Sequence, residues 1–362
     1  MIFGIYLACL LVGGSPTKID DFSLIGVTLL YLAFKTKISI HLSNIFLLLT
    51  IASIYFINMI RKGFWEANGI LVLFSICYLA IMIFQITRNK DLVKELSNNF
   101  IEFQIFCAWI LIALYILIYS YYFPGRINSP GVTWYITINP GFFYPDSHIF
   151  SAQVAFLSLS SLMLCKRKIT SLILIIISFI VLALIGSRSG PYMFAIGSFL
   201  TISTNKLEQY SKILWLITSL IIISFITYIF FGNIMHSGTY RAFTIGGLSD
   251  VHRLEIILNS LKYLTPLDLL IGDEDAFTGG RKYYDNFILT IFLLVGSVGL
   301  ITFLASIFFP LLSLKAYKLI FFIITLLPLS DFLLIPRFQI MFFMFIIISF
   351  RYWDKYNIHK NS

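Results

Sequence analysis

Long apolar runs, separated by short segments that hold most of the basic residues, constrain this chain more than any other feature of its sequence. Many of these runs are close in length to the span of about 20 residues that a helix needs to cross the hydrocarbon core of a bilayer. No water in that core can satisfy exposed backbone groups, so only helices and closed barrels cross it, and runs of this length favour helices. The sequence therefore predicts an all-α integral membrane protein that forms a single polytopic domain over residues 1–362.

The apolar runs predict about 12 transmembrane helices. They lie near residues 1–14, 22–34, 38–60, 70–87, 100–122, 149–165, 169–186, 191–204, 213–231, 286–309, 316–330 and 338–353. The first run has neither the basic leader nor the small-residue cleavage site of a signal peptide, so we expect residues 1–14 to remain as an anchor.

The composition excludes several other classes of protein. Hydrophobic residues make up 59% of the chain and charged residues only 12%, which leaves no stretch that resembles a solvated soluble surface. The formal net charge is +9, but the basic residues form short clusters between apolar runs, which argues against a nucleic-acid partner. The four cysteines lie inside apolar runs and are interpreted as small buried side chains rather than disulfides or metal ligands. They are Cys9, Cys77, Cys107 and Cys165.

The basic clusters predict the orientation of the chain. Alternate connecting segments and the C-terminal tail hold most of the Lys and Arg residues near the spans. These are Lys35, Lys37, Arg88, Lys90, Lys94, Lys166, Arg167, Lys168, Lys206, Lys212, Lys315, Lys318, Arg351, Lys355 and Lys360. The positive-inside rule places these segments and both termini in the cytoplasm. Arg61 and Lys62 are a local exception to that rule.

This orientation places two long loops outside the cytoplasm, at about 123–148 and 232–285, and both are longer than a simple connector. The first carries Trp134 and Tyr135 and ends at His148. Aromatic faces beside polar groups can stack on sugar rings, although the aromatic belts of membrane interfaces produce the same composition. These residues are therefore candidates for contacting a sugar.

The second loop has charges of both signs and a helical pattern. Apolar side chains at Leu254, Ile257, Leu261 and Leu264 have the spacing of one helix face. We therefore expect a short extracytoplasmic helix within residues 251–264 that lies on the membrane surface.

Arg188 lies in the motif GSRSG, where small residues interrupt an apolar stretch. Charge beside a span is costly unless it faces a polar region or a ligand, and small residues permit close approach of an anionic group. Pro191 favours the start of the next helix, whose positive N-terminal end would reinforce the guanidinium group. The alternative is an ordinary turn with an arginine that extends to the membrane surface.

Acidic residues follow in the second loop. The spacing of Asp273 and Asp275 could hold a divalent metal, but short acidic segments are more often solvated turns, so we predict no metal site. His148, His236 and His252 are alternative general bases or simply polar loop residues, and His252 is also a candidate for contacting a sugar.

The order of these features resembles the O-antigen polymerase and O-antigen ligase superfamily of bacterial inner-membrane glycosyltransferases. The segments that carry the resemblance are INPGFFYPDSHIFSAQVAF, GSRSG, HRLEIILNSLKYLTPLDLLIG and YYDNFILTIFLLVGSVGLITFL, over roughly residues 123–309. Ligases of this superfamily characteristically carry histidine directly before the asparagine that opens the span in the last of these segments. This chain has Asp285 followed by Asn286 there, which favours a polymerase.

The resemblance implies transfer of a glycan from undecaprenyl diphosphate to a sugar hydroxyl, without a cofactor, in lipopolysaccharide biosynthesis. Arg188 and Arg253 match the basic positions of the family and Arg241 matches more loosely, so these residues are expected to bind the diphosphate. Asp285 is the candidate base. Besides this lipid-linked oligosaccharide, the expected partners are membrane lipids, and a regulator of polysaccharide chain length is a further candidate.

Two alternatives share the membrane and the substrate class. One is an O-antigen ligase, and the other is a flippase that transports lipid-linked oligosaccharide. Transporters commonly show related halves and ionisable residues at the middle of several spans, and neither pattern is evident in this sequence. The sequence therefore favours an enzyme with its active site in the external loops.

Overall fold

The computed structural model describes residues 26, 42–62, 67–88, 110, 113, 147–164, 173–179, 182, 189–204, 258–259, 261–262, 264–273, 286–327, 333 and 336–353. All regular structure within these residues is helical, as predicted for an all-α protein. The helices with defined bounds are α1 (Leu42–Lys62), α2 (Ala67–Arg88), α3 (Ser147–Leu164), α4 (Ser189–Thr204), α5 (Pro266–Ile271), α6 (Phe287–Ser313), α7 (Tyr317–Leu326) and α8 (Pro336–Trp353).

The predicted spans coincide with described helices wherever the two can be compared. The spans at 38–60, 70–87, 149–165, 191–204, 286–309, 316–330 and 338–353 correspond to α1, α2, α3, α4, α6, α7 and α8. The span at 169–186 is helical over its described residues 173–179. The remaining predicted spans, at 1–14, 22–34, 100–122 and 213–231, lie almost wholly outside the described residues.

Two of these helices are long and apolar enough to cross a membrane. They are α1, over Leu42–Arg61, and α6, over Phe287–Ser313. At about 1.5 Å per residue, 20 residues extend about 30 Å, which equals the thickness of a hydrocarbon core. These two helices therefore satisfy the length requirement on which the membrane prediction rests.

The described helices fall into two compact units, and the boundary within α8 lies between Ile347 and Ile348. In the first unit α6 is central and contacts α1, α2, α5 and α7. The Gln339 side chain ties α8 to this unit, since its Nε2 donates to Ser75 O at 2.9 Å and to Leu333 O at 2.6 Å. Cys77 is buried in α2, as predicted for an apolar environment.

A break at Gly296 interrupts the helical path of α6. Its backbone has φ 66° and ψ −172°, a combination essentially restricted to glycine because any Cβ would be strained there. The N-terminal end of α6 is capped by Asn286, whose side chain accepts a hydrogen bond from Leu289 N at 3.1 Å. The two parts of α6 therefore follow different paths, joined at one residue.

The second unit contains α3, α4 and the end of α8. Two glycines of α4 allow it to approach α3 closely, because a Cβ on Gly190 would overlap Ser151 and one on Gly197 would overlap Leu159. The end of α8 contacts α4, since Trp353 Nε1 donates to Thr201 Oγ1 at 3.3 Å. Small residues at a helix interface are typical of membrane bundles, where packing rather than the hydrophobic effect drives association.

Candidate functional site

Most of the candidate residues from the sequence lie outside the described part of the chain. These are Trp134, Tyr135, Arg188, Arg241, His252, Arg253, Asp275 and Asp285. Two of them immediately precede described helices: Arg188 comes directly before Ser189 at the start of α4, and Asp285 directly before the cap residue Asn286. His148 belongs to the first turn of α3.

Asp273 is described and partly exposed, and its backbone fixes one point of the second loop to α6. Its N–H donates a hydrogen bond to Leu293 O at 2.7 Å. Within the described ranges no group of three or more His, Cys, Asp or Glu residues could hold a metal ion. The metal alternative at Asp273 and Asp275 stays a prediction, because Asp275 lies outside those ranges.

The polar cluster that the described residues do form lies between α1 and α5. Arg61 Nη2 donates to Asp268 Oδ1 at 2.8 Å, and Arg61 Nη1 donates to Asn58 Oδ1 at 3.2 Å. Asn58 Nδ2 in turn donates to Ile271 O at 3.2 Å. We refer to Asn58, Arg61, Thr265 and Asp268 as the Arg61 cluster.

The sequence TPLD produces the α5 side of this cluster by local rules. Thr265 is the cap residue of α5, and Asp268 N donates to its Oγ1 at 3.2 Å. Asp268 Oδ2 accepts from Thr265 N at 2.8 Å and from Thr265 Oγ1 at 2.6 Å, which completes a reciprocal capping box. Pro266 suits the first turn because its missing N–H would have no helical partner there. The capping box therefore orients the Asp268 carboxylate through contacts that do not involve Arg61.

Electrostatics make Asp268 a charge partner rather than a proton acceptor. Burial raises the pKa of Asp268, but hydrogen bonds from Thr265 and Arg61, with the positive charge of Arg61, outweigh burial and hold the pKa below its ordinary value. Both carboxylate oxygens accept hydrogen bonds. Such a group stays ionised near neutral pH and is a weak base, so the Arg61 cluster acts as a brace between α1 and α5.

Two glycines let α5 approach the break in α6 at backbone distance. A Cβ on Gly272, which has φ 96°, would overlap the carbonyl group of Leu294, and a Cβ on Gly296 would overlap that of Leu270. This reciprocal contact and the hydrogen bond from Asp273 fix the end of α5 against the first half of α6. Asp273 and Asn286, the described residues that flank 274–285, are therefore both held on α6.

Close packing also fixes the backbone beside Arg188. The start of α4 lies against α3 at Gly190, where only the absence of a side chain leaves room for Ser151. Ser158 and Ser178 are joined by a hydrogen bond of 2.8 Å in the same unit. The helix begins at Ser189, two residues before the predicted start at Pro191, so its first two residues belong to the motif GSRSG.

Sequence reasoning missed the role of the Arg61 cluster. From the sequence alone, Arg61 is an exception to the charge bias, and Asp268 is one of several acidic residues in the second loop. Two signals were present: Asn58 and Arg61 are three residues apart at the end of an apolar run, and TPLD has the pattern of a capping box. Neither signal specifies that the two segments meet.

The chain was compared with protein-family models, with curated proteins and with solved structures, and none of the three comparisons gives a match.

Proposed function

We propose that this chain is a membrane glycosyltransferase of the O-antigen polymerase type. It joins oligosaccharide repeat units carried on undecaprenyl diphosphate into longer polysaccharide. The chain crosses the bacterial inner membrane with about 12 helices, and both termini lie in the cytoplasm. The reaction takes place at the periplasmic face.

The surface of α1 supports the membrane part of this proposal. Large apolar side chains along this helix are more than half exposed: Leu42, Phe46, Leu49, Phe56 and Ile60. Soluble monomers rarely expose apolar surface on this scale. Contact with lipid chains accounts for it, because α1 is also long enough to cross the hydrocarbon core.

The observation that carries the functional proposal is where the polar motifs meet the helices. Arg188 directly precedes α4, and Asp285 directly precedes the cap of α6. The first turn of a helix presents unpaired N–H groups and a partial positive charge, which favour a bound anion beside an arginine.

The chemistry requires few groups because the donor is already activated. The bond between the anomeric carbon and the diphosphate oxygen breaks, and its electron pair leaves with the diphosphate. The acceptor hydroxyl oxygen bonds to the anomeric carbon and passes its proton to Asp285. Arg188, Arg253 and Arg241 stabilise the charge on the leaving diphosphate, because a guanidinium group binds phosphate oxygens in pairs and stays charged.

A lipid-linked oligosaccharide transporter is the second candidate, and one observation favours it. The break at Gly296 makes α6 a discontinuous helix, and transporters often build substrate sites from such helices. The break here is packed directly against the backbone of α5, through the contacts of Gly296 with Leu270 and of Gly272 with Leu294. This packing favours a structural joint, so we retain the polymerase as the primary proposal.

The proposal is tested by complementing a strain that lacks this chain. Arg188→Lys should fail almost as badly as Arg188→Ala, because the point charge of lysine cannot reproduce a paired contact to diphosphate. Asp285→Asn should reach the membrane normally and make little polymer, because an amide cannot accept the proton. The readout is the ladder of lipopolysaccharide chain lengths at matched protein levels.

Each outcome has a defined meaning. The uncomplemented strain should still cap its lipopolysaccharide core with one repeat unit, whereas loss of that single-unit band with normal precursor export would indicate a ligase. Accumulation of precursor on the cytoplasmic face would indicate the transporter. A normal ladder from Arg188→Lys would remove the diphosphate role, because an arginine that only anchors a turn is replaced well by lysine.

A further inference from the structure

We infer that α5 is seated in the interfacial layer of the bilayer, where its exposed leucines contact lipid acyl chains. The inference rests on the proposed membrane placement of α1 and α6. It does not depend on which reaction the chain catalyses.

The contacts of α1 determine the level of α5 along the membrane normal. The apolar part of α1 is 20 residues long, so its end at Arg61 lies at the boundary of a core of about 30 Å. Asn58 lies one turn inside that boundary, about 4.5 Å deeper. Because Arg61 binds Asp268 and Asn58 binds Ile271 O, α5 is held at the same level.

The contacts between α6, α1 and α5 agree with this level. Ser306 Oγ donates to Ser43 O at 3.2 Å, and Gly299 lies beside Ile54, so α1 and α6 are antiparallel. The end of α1 at Arg61 therefore corresponds to the part of α6 before Gly299. This is where α5 packs, at Leu294 and Gly296. Both helices thus place α5 at one edge of the hydrocarbon core.

The surface of α5 at this level is apolar. Leu267, Leu269 and Leu270 are 47%, 43% and 51% exposed, although the helix has only six residues. Three leucines with this exposure in six residues would be unfavourable in water, and acyl chains at the edge of the core provide the missing apolar contact. The polar groups of α5 face the Arg61 cluster. There the Asp268 carboxylate accepts a hydrogen bond from Arg61, and Ile271 O accepts one from Asn58.

The residues before α5 show the two-sided pattern of an interfacial helix. Leu258 and Leu261 are exposed and three residues apart, as are Asn259 and Lys262. All four are helical, so one stripe is apolar and the other polar. These four residues lie within the helix predicted for 251–264, and we infer that α5 extends the membrane contact to residue 271.

The inference can be tested with spin labels on the full chain. The native cysteines are replaced by alanine, and single cysteines are introduced as Leu267→Cys and Leu270→Cys. Phe46→Cys on the exposed face of α1 is the lipid control, and Asn259→Cys is the aqueous control. The protein is reconstituted in vesicles of phosphatidylethanolamine and phosphatidylglycerol, and accessibility to oxygen is compared with accessibility to a water-soluble nickel chelate.

We expect the ratio of oxygen to nickel accessibility at positions 267 and 270 to exceed that at position 259 several-fold. If positions 267 and 270 match position 259 while position 46 remains in lipid, α5 lies in water and the inference is wrong, although the membrane placement stands. If position 46 is also open to nickel, both the membrane placement and the inference fail. Each variant is first shown to elute as a single species in detergent. If only one of the two leucine variants does so, the accessibility at that position decides the result.

Discussion

At the scale of single residues, Arg61 and Asp268 show how a buried carboxylate is tolerated in this fold. Asp268 is 6% exposed, and a carboxylate with this burial would be costly without partners. Thr265 and Arg61 provide them, and Arg61 is further held by Asn58. The pair therefore joins two segments that are far apart in sequence, and removing one member leaves the other as an uncompensated charge.

Asp268→Asn should lower the free energy of unfolding by about 1–3 kcal/mol, through loss of the ion pair and a weaker capping box. Since the pKa of Asp268 is lower in the folded than in the unfolded chain, its contribution is complete above its ordinary pKa. That contribution is lost as the pH falls below about 4. Thermal unfolding in detergent, measured across this range, should show a larger acid-dependent loss of stability in the parent protein than in Asp268→Asn.

The double variant Arg61→Gln, Asp268→Asn provides the matched control. It leaves neither charge alone, so it should be less destabilised than the sum of the single variants. Strictly additive effects would show that the two side chains do not interact in the folded protein.

At the scale of elements, the contact between α5 and α6 depends on two glycines with backbone conformations that other residues rarely adopt. Gly272 and Gly296 both have positive φ, and each lies against the backbone of the other element. Backbone atoms cannot move aside as the end of a side chain can. The short helix α5 is therefore held by the Arg61 cluster on one side and by backbone contact on the other.

Gly296→Ala should destabilise the protein by at least about 2 kcal/mol, because the new Cβ is strained at this φ and overlaps Leu270 O. Gly26→Ala is the matched control, since Gly26 is helical and a Cβ there meets nothing within 4 Å. The measurement is the unfolding midpoint of both variants in the same detergent. Equal midpoints would show that the break in α6 is not required for the fold.

At the scale of the whole molecule, the proposed mechanism depends on which side of the membrane the two long loops face. The two ends of α6 allow part of this orientation to be tested directly. The second loop leads into α6 at Asn286, and Lys315 follows the other end of the same helix. If α6 crosses the membrane, these two points must lie on opposite sides.

Reporter fusions after Lys168, Lys206 and Lys315 should therefore be cytoplasmic, and fusions near Gly131 and Thr278 should be periplasmic, as the charge bias requires. Alkaline phosphatase and a cytoplasmic reporter at each site give opposite signals, so each fusion is its own control. A cytoplasmic signal at Gly131 or Thr278 would exclude the proposed periplasmic active site. Identical signals at Thr278 and Lys315 would show that α6 does not cross the membrane.

The sequence by itself determined the helical class and the bounds of most described helices. Length and hydrophobicity are local properties, so runs such as 286–309 and 338–353 predicted α6 and α8 closely. The starts of α4 and α6 were predicted within two residues, at Pro191 and near Asn286, because helix ends follow short-range rules.

Only the tertiary structure decided which polar residues meet. Arg61 and Asp268 are 207 positions apart in sequence, and no local pattern pairs them. The break at Gly296 was equally hidden, because glycine is common within membrane helices and its backbone conformation depends on the carbonyl group of Leu270 packed against it. Hydrophobicity selects the segments that form helices, whereas specific partners across the fold select where a helix breaks and where a charge is neutralised.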